Sequence, residues 1–204
     1  MKRLLFLLFI VSSAFKAEAK KMVYPIEVIA GSADLIVIGE ISAVKSNSYS
    51  FKISETLKGK VYAIITVNMF KEWTCDSRFG KPKTGEKLCL FLKNVNSNWE
   101  IINGSTGEIL ISNNSITLGN EEYKHIDYQY NPYKLPITEF KNGIREFCKC
   151  YKLIGDYGYY DKPPYFLQTG SDKQVADFKK SSKFSAWLFQ KLTPYPKRKI
   201  KIAS

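Results

Sequence analysis

The sequence predicts a mainly β protein with C-terminal helices: an α+β chain in which a five-stranded OB-like antiparallel β-barrel carries two amphipathic helices. Three observations predict it. Apolar side chains alternate with polar ones through four successive segments between residues 34 and 93, the period-2 pattern of half-buried strands. Glycine-containing turns such as Lys58-Gly59-Lys60 and Thr84-Gly85-Glu86 separate these segments. Beyond Gly119 the character changes, and from Pro136 the spacing of apolar residues becomes helical.

Taken in order, Tyr24-Pro25-Ile26-Glu27-Val28-Ile29-Ala30 suits a short helical turn with Pro25 near its first position. The first strand, 35–44, opens on Leu35, Ile36, Val37 and Ile38, apolar on both faces as a central strand requires, and Gly39 marks a tight bend. The second, 49–58, places Tyr49, Phe51, Ile53 and Leu57 on one face and Ser50, Lys52, Ser54, Thr56 and Lys58 on the other. Val61, Ala63, Ile65, Val67 and Met69 begin a third, and Leu88, Leu90 and Leu92 share one side of a fourth over 87–93. Segments 99–102 and 108–111 flank Asn103-Gly104-Ser105-Thr106-Gly107, expected as a hairpin loop.

The tyrosine-rich stretch 123–133 reads as irregular. From Pro136, Ile137, Phe140, Ile144, Phe147, Cys148 and Tyr151 recur at helical spacing. Residues 155–170 read as a loop rich in tyrosine and proline. Ser171-Asp172-Lys173-Gln174 then forms a capping box that opens the last helix, through Phe178, Phe184, Trp187, Leu188 and Leu192. Pro194 and Pro196 end it ahead of a basic tail, Lys197-Arg198-Lys199-Ile200-Lys201. The expected division is a leader over 1–19, a barrel domain over 20–120 and a helical extension over 121–204 packed on the barrel.

Lys2 and Arg3, an apolar run over 4–11 and the small-x-small site Ala17-Glu18-Ala19 have the form of a secretory signal peptide. The mature chain is expected to begin near Lys20, to be secreted or periplasmic, and to keep no transmembrane segment after cleavage. Lysine and arginine number 31 against 19 acidic residues, a formal charge of +12. That surplus favours acidic partners such as anionic glycans, lipopolysaccharide or lipid head groups, although a lysine-rich solubilising surface is the simpler reading. Export argues against nucleic acid as the partner.

Four cysteines follow the leader: Cys75, Cys89, Cys148 and Cys150. In an oxidising compartment this even number is expected to form disulfide bonds, with three connectivities open. Cys75 and Cys89 are placed to meet across the sheet, a link from sheet to helix or one pair left reduced is an alternative, and Cys148 to Cys150 is awkward on a helix. The spacings match no zinc ribbon.

Ala33-Asp34-Leu35-Ile36-Val37-Ile38-Gly39-Glu40-Ile41 resembles the opening strand of netrin-like modules, the fold of the tissue inhibitors of metalloproteinases. Leu57-Lys58-Gly59 and Gly85-Glu86-Lys87-Leu88-Cys89-Leu90-Phe91-Leu92 are similar to later strands of that family, as in its secreted bacterial relatives. The resemblance, over residues 33–93, implies a five-stranded OB-type barrel that serves as a protein-interaction module. The family's inhibitors grip a target zinc through an N-terminal cysteine. The expected mature terminus Lys20-Lys21-Met22 has none before Cys75, so that mechanism does not carry over.

No His-Glu-x-x-His, Gly-x-Ser-x-Gly or phosphate-loop motif occurs. The single histidine, His125, lies in a tyrosine-rich stretch, where a surface or packing role outweighs that of a general base. The chain is therefore expected to be a non-enzymatic binding protein without a cofactor, acting on an extracellular or periplasmic protein. The alternative is a polyanion-binding envelope protein using Lys179, Lys180, Lys183, Lys191, Lys197, Arg198, Lys199 and Lys201. Tyr157, Tyr159, Tyr160 and Tyr165 are candidate aromatic contacts for a sugar or peptide, with packing between the helices and the barrel as the favoured role. Asn103 and Asn113 head glycosylation sequons, relevant only in a eukaryotic source.

Overall fold

A computed structural model describes residues 21–118, 134–158 and 162–199. The expected leader, His125 with its neighbours over 123–133, Tyr159, Tyr160 and Lys201 lie outside the described residues. Strands β1 (Leu35–Val44), β2 (Ser48–Lys58), β3 (Ile64–Asn68), β4 (Lys87–Val95) and β5 (Asn98–Ile101) pair in the order β1-β2-β3-β5-β4, and β1 pairs β4 to close the barrel. This is the OB-like arrangement. One expectation needs correction: the barrel is mixed rather than antiparallel throughout, because β3 and β5 run parallel through Val67 opposite Trp99 and Asn68 opposite Glu100.

The sequence pattern explains which strands face what. Leu35, Val37, Ile41, Tyr49, Phe51, Ile65, Val67, Leu88, Leu90 and Leu92 fill the barrel interior. The opposite faces of β1 and β4, through Ile36, Cys89 and Phe91, join an outer core beneath the helices. These two strands are apolar on both sides because both faces are covered. On β2 and β3 the outward positions are polar or partly exposed, so those strands alternate. Gly39 sits where β1 shifts register against β2, and a Cβ there would lie 2.1 Å from the Lys52 carbonyl oxygen. Only glycine allows this approach, and the bulge helps the sheet to coil.

The expected hairpin at 103–107 does not form. β5 and β6 (Glu108–Ser112) both pair antiparallel with β4, at Leu92–Val95 and at Leu88–Leu90 respectively. They therefore run in the same direction along one edge. Phe91 spans the break, its N–H donating to the Gly107 carbonyl at 2.9 Å while its own carbonyl accepts from the Ile102 N–H at 3.0 Å. The intervening residues bulge out as a single 3-10 turn, Gly104–Thr106, entered through Asn103 and Gly104 in left-handed conformations. β7 (Ser115–Thr117) and β8 (Lys134–Pro136) then extend the sheet beyond β6.

Helix α1 (Ile26–Ser32) is buried over nearly its whole length. The Lys58 ammonium caps its C-terminal end, donating to the carbonyls of Ala30 and Gly31 at 2.9 and 3.1 Å. Helix α2 (Ile137–Cys150) buries Phe140, Ile144 and Phe147. A second sheet follows, with β9 (Tyr151–Ile154) and β10 (Tyr165–Gln168) antiparallel and β11 (Lys197–Lys199) parallel to β10. The basic tail is thus partly a strand, and residues 155–170 are not loop throughout. The last helix of the sequence reading is two helices, α3 (Asp172–Ser181) and α4 (Lys183–Lys191). Its capping box forms as expected, with Ser171 and Gln174 bonding reciprocally. Ser182, extended and accepting from the Ser185 N–H, ends one helix and caps the next. No helix among the described residues is long and apolar enough to cross a membrane.

Candidate functional site

The connection from β3 to β4 covers 69–86, far longer than a barrel turn requires, and such loops commonly carry function. Two buried anchors hold it. Asp76 turns back on Trp73 through a pair of backbone hydrogen bonds, 3.1 and 2.9 Å. Its carboxylate accepts from the Lys21 ammonium at 2.7 Å and from the Ser105 N–H at 3.1 Å. Lys21 also donates to the Asn103 carbonyl at 2.7 Å and to the hydroxyls of Ser105 and Thr106. Burial alone would raise the Asp76 carboxyl, but Lys21 and Ser105 outweigh it and hold it below the ordinary carboxylate range. Gly104 is required here, since a Cβ would sit 1.9 Å from the Asp76 carboxylate and φ is +56°.

Asn103 completes this anchor. Its side-chain oxygen accepts from the Tyr24 N–H at 3.0 Å, and its amide nitrogen donates to the Met22 carbonyl at 3.0 Å. The N-terminal segment is thereby laid along the 3-10 turn. The sequon residue Asn103 is in this way engaged by structure, whereas Asn113 stands in the exposed turn between β6 and β7.

The second anchor is Arg78. Its Nε donates to Glu108 at 3.0 Å, its Nη2 to Glu86, and its Nη1 to the Gly80 carbonyl at 2.7 Å. Burial disfavours the guanidinium charge, yet the two carboxylates more than restore it. The Glu108 carboxyl is pushed up by burial against the pull of Arg78 and of the Tyr49 hydroxyl, which donates to it at 3.1 Å. Burial, then Glu108, pushes the Tyr49 phenol far above its usual value. Bonded to Tyr49 of the barrel interior, Glu108 ties the loop to the core. Its position was legible as an acidic side chain at the start of a predicted strand. The partners Lys21, Asp76 and Arg78 carried no periodic signal and were missed.

Beside the anchors lies a groove of about 500 Å³ bounded by Val23, Cys75, Phe79, Ile109, Thr117 and Leu118. Phe79, 48 % exposed, lines this groove with the Arg78 guanidinium 4.1 Å from its ring centre, and Trp73, on the same loop, is 43 % exposed.

All four cysteines are free, which corrects the expected disulfides. Cys75 is exposed on the loop, whereas Cys89 belongs to the outward face of β4 and points into the outer core. The pairing across the sheet fails because the alternation of β4 sends Leu88 and Leu90 inward and Cys89 the other way. Burial pushes the thiols of Cys148 and Cys150 up to about 11, and that of Cys89 higher still. Among the described residues no group of three or more His, Cys, Asp or Glu side chains is arranged to hold a metal ion.

The other candidates lie elsewhere. Tyr157 stacks edge-on against Tyr24 with ring centres 4.9 Å apart, and Tyr195 stands 6.4 Å away. Tyr165, half-buried, opens β10. Lys179, Lys180 and Lys183 are exposed where α3 gives way to α4. The Lys191 ammonium sits 5.5 Å from the Trp187 ring centre. Lys197, Arg198 and Lys199 are the residues of β11. Tyr157, Tyr165, Lys179, Lys180, Lys183 and Lys191 are not among the residues that line the loop groove. Comparison of the chain with protein-family models, curated proteins and solved structures returns no match.

Proposed function

We propose that the chain is an exported, non-enzymatic binding module of netrin-like type that engages a protein partner through the barrel end carrying the β3–β4 loop. The observation that carries this reading is the state of the charged groups there. Lys21 is matched by Asp76, and Arg78 by Glu86 and Glu108. Charges neutralised in this way fix a surface but offer no group poised for proton transfer or nucleophilic attack. The strand order is that of an OB-like barrel, the architecture a netrin-like module requires, and the signal-peptide pattern over residues 1–19 is the basis for export. The test is capture of proteins from native envelope or culture fluid by the immobilised chain. A partner retained in stoichiometric amounts, and retained less by a Trp73→Ala variant, is the expected result; repeated capture of nothing rejects the reading.

A second reading has its own observation. Lys179, Lys180 and Lys183 crowd one exposed helix junction, a basic cluster suited to a sulfated or phosphorylated polymer. It predicts retention on heparin that falls between low and moderate salt, and falls again when these three lysines become glutamates. Salt-independent retention rejects it.

A further inference from the structure

We infer that the β3–β4 loop, through Phe79 with the groove it lines and Trp73 on the same loop, is the docking surface for an acidic, apolar-centred segment of a partner protein. The inference rests on the binding-module reading and names its site and partner chemistry.

Large aromatic side chains left half in water on a well-fastened loop are the first point. A flexible loop would fold such rings back or lose entropy on docking. Here the two buried anchors, Asp76 and Arg78, lie between the rings in the chain, three residues after Trp73 and one before Phe79. The rings are therefore held ready before a partner arrives, which lowers the ordering cost of association. Tryptophan and phenylalanine supply large contact areas with few rotatable bonds.

Charge decides what kind of partner fits. The acidic groups Asp76 and Glu86 are taken up by Lys21 and Arg78. The loop's remaining exposed charges are Lys71, Lys81 and Lys83 against Glu72 alone. Internal pairing thus leaves the loop that carries both rings with a surplus of exposed positive charge, Lys81 and Lys83 following Phe79 closely in sequence. A complementary segment places an apolar side chain over the rings and groove and carries aspartates or glutamates to either side. A basic segment would meet three like charges.

The experiment uses the full-length exported chain and a phage-displayed library of short random peptides. The expected result is enrichment of peptides with an aromatic or aliphatic residue flanked by acidic ones. The binding of a leading peptide should weaken about tenfold in Trp73→Ala and in Phe79→Ala, and also in the Lys81→Glu, Lys83→Glu double variant, while each variant keeps one cooperative thermal unfolding transition. Peptides bound equally well by the aromatic variants, or enriched without acidic bias, overturn the inference while leaving a binding module elsewhere on the chain. No enrichment at all overturns both. Trp73-dependent retention on phosphatidylglycerol vesicles, with no peptide selected, also overturns it and assigns the loop to a lipid surface.

Discussion

Two segments are fastened to the same barrel by opposite kinds of chemistry. On the helical side, Phe147 meets the rings of Tyr151, Phe166 and Phe178 at 5.8–6.1 Å between centres, and Phe140 stacks on Phe184 at 5.5 Å. On the loop side, buried carboxylates grip Lys21 and Arg78. Ring packing is strong and tolerant of small shifts, so it suits helices whose only task is to cover apolar strands. Paired charges with hydrogen bonds at fixed angles are directional, and they suit a loop whose outer residues must be presented in one pose. The difference separates a region built for cohesion from one built for placement.

Thiol access should divide the two sides most sharply. With a soluble disulfide reagent, Cys75 is expected to react at once, and Cys89 and Cys150 at least about a hundredfold more slowly, through opening of the outer core. Four thiols should titrate after denaturation without reductant. Two would restore the disulfide expectation and place the helical side under covalent constraint.

The next effects are on stability. Phe147→Ala should cost about 3–5 kcal/mol in chemical denaturation by emptying a fully buried ring site. Arg78→Met should cost about 3–5 kcal/mol near neutral pH, because Glu108 is left buried without its counter-charge. The two variants part on acidification. The Phe147→Ala cost should stay level, whereas the Arg78→Met cost should shrink as Glu108 takes up a proton. Equal pH profiles would remove the contrast drawn here.

Asp76→Asn gives a smaller test in the same direction. The folded Asp76 carboxyl is lowered relative to the unfolded chain, so its contribution is full above the ordinary carboxylate value and is lost as pH falls through the lowered one. A loss of about 2 kcal/mol at neutral pH, vanishing in strong acid, is expected for a charge-assisted pair. A pH-independent difference would mean that Asp76 acts by shape alone.

How much of this was readable beforehand follows the same divide. Strand β1 matches the predicted 35–44, and β2 and β4 lie within two residues of their expected bounds, because alternation over a filled interior leaves a period in the text. The capping box at Ser171 is local chemistry and was equally legible. The break at Ser182 was not, since the apolar spacing continues through Phe184 and Trp187 while only the serine's cap divides the helix. The loop anchors escaped for a related reason. Asp76 pairs with a residue 55 positions away and Arg78 with one 30 away, and single-sequence periodicity holds no trace of such distant partners. Cys89 was readable in address but misassigned in chemistry, because the double-faced character of β4 was not applied to it.

The smallest effect belongs to the surface. Glu55 accepts from Lys141 at 2.8 Å and from Arg145, linking β2 to α2 in the open. Burial opposes its ionisation, but the hydrogen bonds and charges of these two cations together outweigh it and hold its carboxyl below the usual range. Glu55→Gln should cost under about 1 kcal/mol and less in high salt. A larger, salt-resistant loss would make this bridge a third fastening.

The parallel pairing of β11 with β10, reinforced by the Phe166 N–H donating to the Pro196 carbonyl at 2.9 Å, reaches beyond the fold itself. A chain cut after Tyr195 would leave β10 with bare amide and carbonyl groups along one side, a template on which another molecule's strand can be laid. Shortening the carboxyl end therefore invites self-association, and charge changes made there are better introduced by substitution than by truncation.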